Sequence, residues 1–120
     1  MKSKDNHIQL KRFQVREKTR QLVQLDMMIS EFERMADELD QQIAAEERKA
    51  GITDPTHFAY PTFAHAARLR RDNLLESRAG LAEQRQAAEE ALAEAESELE
   101  RVELLENRGR EVAAPRAMIG

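Results

Sequence analysis

The chain has 120 residues, 35% of them charged, with four Phe, one Tyr, four Gly, three Pro and no Cys. That composition excludes a disulfide framework and a thiolate metal site, and it points away from a sandwich or barrel toward one domain built of long helices. The net charge of −4 conceals alternating blocks: residues 1–20 carry seven Lys/Arg against two acids (+5), 21–50 three against eight (−5), 51–82 four against three (+1), and 83–111 four against ten (−6).

The first arm, about 5–50, carries a seam at alternating three- and four-residue spacing: Ile8, Lys11, Val15, Lys18, Leu22, Leu25, Ile29, Phe32, Ala36, Leu39, Ile43, Glu46, Ala50. Every position from Leu22 to Ile43 is apolar, the pattern of a helix that needs a partner helix. Lys11 and Lys18 weaken the seam near its start, where Leu10 and Phe13 suggest a wider or rotated apolar face.

The joint, about 51–61, follows. Gly51 suits a left-handed helix cap. Asp54 and Pro55 suit the entry to a short helical turn over 54–59, and Tyr60-Pro61-Thr62 suits an extended residue followed by a restarted helix. Three of the chain's aromatics, Phe58, Tyr60 and Phe63, crowd into this stretch. Two readings stand for them: a cap that shields the seam residues Leu39, Ile43 and Leu69, or an exposed anchor for another protein.

The second arm, about 62–108, has Phe63, Ala67, Leu74, Leu81, Ala88, Ala95 and Val102 at seven-residue spacing, joined by Leu92 and Leu99, with Arg70, Ser77 and Gln84 read as a polar second row. Residues 112–120 lack periodicity and contain Pro, which reads as a disordered tail.

The expected fold class is therefore all-α, a long antiparallel two-helix coiled-coil hairpin. Folding back near residue 56 sets the basic segment 1–20 beside the acidic segment 92–111, whereas a parallel dimer would oppose like charges. The same register puts the Phe32 ring over Gly80, offering a reason for a glycine inside a helix.

No phosphate-binding loop, metal-ligand spacing or nucleophile–base arrangement is present, and His7, His57 and His65 are read as ordinary polar positions. The reading is of no enzyme, no cofactor and no metal. The basic first turns lack interleaved aromatics, so nucleic acid is not expected as a partner. Residues 1–20 have no apolar signal-peptide core and no stretch is long and apolar enough to span a membrane, so a cytoplasmic protein is expected.

The segments LKRFQVREKTRQ (10–21), ISEFERMADELDQQIAAEE (29–47), GITDPTHFAYPTFAHAA (51–67), RRDNLLES (70–77) and VELLE (102–106) together resemble the flagellar export protein FliJ family in its alphaproteobacterial form. The resemblance spans about 1–111 and is most specific at the joint and the RRDNL that follows. It implies a non-enzymatic, stalk-like hairpin of the flagellar type III protein export apparatus. Its implied partners are the hexameric export ATPase, the export gate membrane protein and escort chaperones, which would hold the protein at the inner membrane without a span of its own. By region, the resemblance assigns Leu10, Lys11, Arg12, Phe13, Arg16, Leu99, Val102 and Leu105 to the ATPase-facing end, and His57, Phe58, Tyr60 and Phe63 to a joint-side contact. Without an export role, the pattern reads instead as a self-associating coiled-coil scaffold.

Overall fold

The computed structural model describes the backbone of residues 2–119 and the side chains of residues 5–109. It contains two helices, α1 (Lys2–Ala50) and α2 (Thr62–Ile119), and no strand among the described residues. The fold is all-α, an antiparallel two-helix hairpin. α2 is assigned past the end expected near 108, while no side chain beyond 109 is described. The disordered tail expected at 112–120 lies outside the residues whose side chains are described.

The chain divides into two units, one of residues 24–85 and one of residues 1–23 with 86–120. In the first, α1 contributes Leu25, Ile29, Phe32, Ala36, Leu39 and Ile43, all buried or half-buried. Leu39, Ile43 and Ala67 form the core cluster, with Leu74 packed against them. In the second unit, Ile8 and Ala95 are buried, and Val15, Leu22, Ala88, Leu92, Leu99 and Val102 are half-buried. Every apolar α1 seam position from Ile8 to Ile43 therefore faces α2. Lys18 is half-buried within the same row, a lysine laying its methylene stem along the seam.

The α2 seam differs in phase from the sequence reading near the joint. Phe63 is 55% exposed and Leu69 64% exposed, so neither belongs to the seam. The buried row is Tyr60, Ala64, Ala67, Leu74 and Leu81, with Ala64 wholly inaccessible. Interleaved with it are Arg71, Arg78 and Arg85, rather than Arg70, Ser77 and Gln84. The correction has a physical reason. Alanine is small enough to bring α2 close to α1, and each arginine covers the seam with its stem while its guanidinium reaches the facing helix.

Those arginines form a ladder. Arg71 pairs with Asp40 at 2.9 Å, Arg78 with Glu33 at 2.7 Å, and Arg85 with Asp26. One heptad down α2 meets one heptad up α1 at each step, so the ladder fixes both the antiparallel direction and the register. In the other unit the signs are reversed. Lys11 and Arg12 of α1 pair with Glu98 and Glu103 of α2, at 2.6 and 3.5 Å. Each exposed pair contributes only a few tenths of a kcal/mol up to about 1, so the ladder selects register more than it holds the fold.

Gly80 does not sit beneath the Phe32 ring. A Cβ placed on Gly80 would meet nothing within 4 Å, and the position is exposed. Phe32 is half-buried in the seam, whose true phase turns Gly80 away from α1.

Candidate functional site

The joint is built by successive local devices. Gly51 takes φ +68°, which a side chain resists, and its N–H donates to the Glu47 carbonyl at 2.8 Å, closing α1. The Asp54 carboxylate then accepts from both the backbone N–H and the hydroxyl of Thr56, at 2.9 and 2.8 Å. Those donors, with the nearby His57, hold its pKa below the ordinary carboxylate value despite some desolvation. His57 N–H donates to the Asp54 carbonyl and Tyr60 N–H to the His57 carbonyl, giving two consecutive β-turns where a short helical turn was expected. Pro55 suits the second position of the first turn, and a helix is not continued because the next N–H bond again spans only four residues. The Pro61 carbonyl then accepts from His65 N–H as α2 starts.

These turns send the joint's aromatics to different fates. Tyr60 is 9% exposed, and its hydroxyl donates to Glu47 at 2.8 Å while accepting from Arg68 Nε at 2.9 Å. Arg68 also reaches Glu47 at 3.3 Å and lies 5.9 Å from the Tyr60 ring centre. The tyrosine hydroxyl and then Glu47 raise the Arg68 pKa further above its ordinary value, against a smaller opposing effect of desolvation. Tyr60, Glu47 and Arg68 thus tie the last turn of α1 to the first two turns of α2, and this ring is buried rather than displayed.

Phe58 is the opposite case. It is 96% exposed, and its ring stacks on His57 with centroids 4.8 Å apart. His57 Nδ1 accepts from Ala59 N–H at 3.0 Å, which orients the imidazole. With Phe63 also exposed, the joint presents two apolar rings and one imidazole to solvent.

The residues assigned to the other end all fall in the unit formed by the chain's two terminal segments. Leu10 and Phe13 are each 51% exposed and Leu105 is 60% exposed, with Leu104 at 56%. Leu10 and Phe13 lie outside the helix–helix seam, so the apolar face does not widen toward α2 there; it is carried on the outside. Leu99 and Val102 are half-buried in the seam, Arg16 is exposed, and Lys11 and Arg12 are engaged by Glu98 and Glu103. The Lys11 ammonium lowers the Glu98 pKa, mainly through its hydrogen bond. A polar groove of about 390 Å³ lies between Ile8, Arg12, Glu103 and Glu106 in this unit.

Sequence reasoning missed the Arg71, Arg78, Arg85 ladder and the Glu47–Tyr60–Arg68 tie. The signal was present: arginines recur every seven residues over 71–85, and Asp26, Glu33, Asp40 and Glu47 recur every seven residues over 26–47.

The fold is a helical hairpin that exposes several large apolar side chains at the joint and in the terminal-segment unit. Among the described residues no group of three or more His, Cys, Asp or Glu side chains could hold a metal ion, and no helix is long and apolar enough to cross a membrane. No protein-family model, curated protein or solved structure matches the chain.

Proposed function

We propose that the chain is a non-enzymatic stalk and adaptor of a flagellar type III export apparatus. In this reading its terminal-segment unit binds and promotes the export ATPase ring, and its joint meets the export gate or escort chaperones. The observation that carries the reading is the outward placement of Leu10, Phe13, Leu104 and Leu105 on a helix pair whose seam is already filled. Large apolar side chains that the fold does not use, set among charges, are what a protein-binding end requires. The sequence resemblance over 1–111 supplies the identity of the partners. Exposed Phe58 and Phe63 supply a second contact surface, with Tyr60 holding the joint that displays it.

The test is to mix the purified chain with a purified flagellar export ATPase and follow ring assembly and ATP hydrolysis. Both should rise, and Leu10→Glu with Phe13→Glu should abolish the rise while helicity is retained. No binding and no stimulation would refute the reading and favour a scaffold without an export role.

A further inference from the structure

The exposed His57 is held in the joint as a hydrogen-bond acceptor. Its Nδ1 takes the Ala59 N–H at 3.0 Å, and a ring nitrogen accepts only in the neutral imidazole, because the imidazolium carries a proton on both. This bond therefore belongs to one protonation state. The two backbone bonds that make the β-turns do not involve the ring: His57 N–H to the Asp54 carbonyl at 3.1 Å, and Tyr60 N–H to the His57 carbonyl at 3.0 Å. The ring can respond to a proton without unmaking the turns.

Asp54 offers the ring its other partner. Both Thr56 donors bond Oδ1 of that carboxylate, which leaves Oδ2 without a protein partner among the described residues. Asp54 and His57 interact electrostatically, and the carboxylate, held below its ordinary pKa mainly by Thr56, stays charged throughout the range in which imidazoles titrate. On the adjoining turns, Glu47 is engaged by Tyr60 and Arg68, and Glu46 by Lys49. Arg48 on α1 and His65 on α2 make no side-chain bond to His57, and a charge on either opposes a positive charge there. Asp54 is thus the acid toward which an imidazolium at position 57 is drawn.

We propose that His57 is a proton-controlled switch of the joint, accepting from the Ala59 N–H when neutral and, when protonated, releasing that N–H to water and donating from Nδ1 to the Asp54 carboxylate. The change exchanges one exposed neutral hydrogen bond for a charge-assisted one. Phe58, 96% exposed and stacked on His57 in the neutral state, is then displayed beside a cation in place of an uncharged ring. The hairpin itself is untouched, because the seam and the Glu47–Tyr60–Arg68 tie take no part in the change. The proposal does not depend on the export reading, since it concerns the state of the joint and requires no partner.

Nuclear magnetic resonance of the isotopically labelled full chain, followed from about pH 8 to about pH 5, tests it. At the upper end the His57 ring should be the Nε2–H tautomer, and the Ala59 amide proton should move upfield in one step with protonation of that ring. His57→Gln should abolish the step, which separates it from the titration of His7 and His65. Asp54→Asn keeps an acceptor oxygen for Thr56 and removes the charge, and it should move the step to lower pH. Circular dichroism should show the same helicity across the range and in both variants. An Nδ1–H tautomer at the upper end overturns the proposal, as does an Ala59 amide that stays in place while the ring titrates. So does a step that persists in His57→Gln, one that Asp54→Asn leaves where it was, or one accompanied by loss of helicity.

Discussion

Replacing Tyr60 by Phe removes one oxygen and leaves the ring. That oxygen is a donor to Glu47 and an acceptor from Arg68, at 2.8 and 2.9 Å. Hydrogen bonds to charged partners contribute about 1.5–3 kcal/mol each when buried. Here the Glu47 and Arg68 side chains keep 14% and 32% of their exposure and retain their own contact at 3.3 Å. Water and that remaining pair recover much of the loss, so the net cost of Tyr60→Phe should be about 1 kcal/mol. Tyr60→Ala also removes a ring that is 9% exposed, adding about 2–3 kcal/mol of lost burial. Urea unfolding followed by circular dichroism should place the variants in the order wild type, Phe, Ala, with Tyr60→Phe lowering the melting temperature by roughly 3–5 °C. Phe58→Ala should change stability by less than about 0.5 kcal/mol, since that ring has almost no contact to lose. The reasoning is refuted if Tyr60→Phe is as stable as the wild type, or if Phe58→Ala destabilises as much as Tyr60→Ala.

Gly80→Ala should stabilise the chain by about 1 kcal/mol, because the added methyl enters open space and alanine's backbone gains less entropy on unfolding than glycine's; a destabilised variant in urea would mean that the methyl does not enter open space. A double-mutant cycle on Arg78 and Glu33 should give a coupling of about 0.2–1 kcal/mol that falls as salt is raised, and a coupling of zero at low salt would remove the ladder as a source of register. The Asp54 and Glu98 carboxylates are both held below their ordinary pKa in the fold, by Thr56 and by Lys11. Their contribution is present above the ordinary carboxylate range and is lost as pH falls through the lowered values. Acid titration of stability should therefore show a decline below about pH 4 that is shallower in Asp54→Asn, and an identical slope in that variant would contradict the assignment.

The α1 seam was legible because seven consecutive seam positions from Leu22 to Ile43 are apolar, and only one helical phase accommodates them. α2 has no such run. Its alanines outnumber its leucines, and several phases bury similar area, so apolar pattern alone favoured Phe63 over Ala64. What decides the phase is the charge row: with Arg71, Arg78 and Arg85 beside the seam, each guanidinium meets an acid of α1. A phase that put Arg70, Ser77 and Gln84 there would leave those acids unanswered. In an alanine-rich helix pair, heptad-spaced opposite charges on the two arms are thus a better guide to register than the apolar residues.

The same reasoning explains why the joint aromatics could not be apportioned from their order in the chain. Ala64 and Ala67 fall on the buried face once α2 begins at Thr62, and Tyr60, closing the second β-turn two residues before it, is buried alongside them. Phe58 lies two residues earlier, inside the second β-turn, where the backbone directs it outward onto His57. Only the phenolic hydroxyl distinguishes the two rings chemically, and it is this group that Glu47 and Arg68 require. Tyr60 therefore serves the fold because it can satisfy two charged neighbours at a helix end. Phe58, with nothing to offer them, is left as the ring that the joint displays.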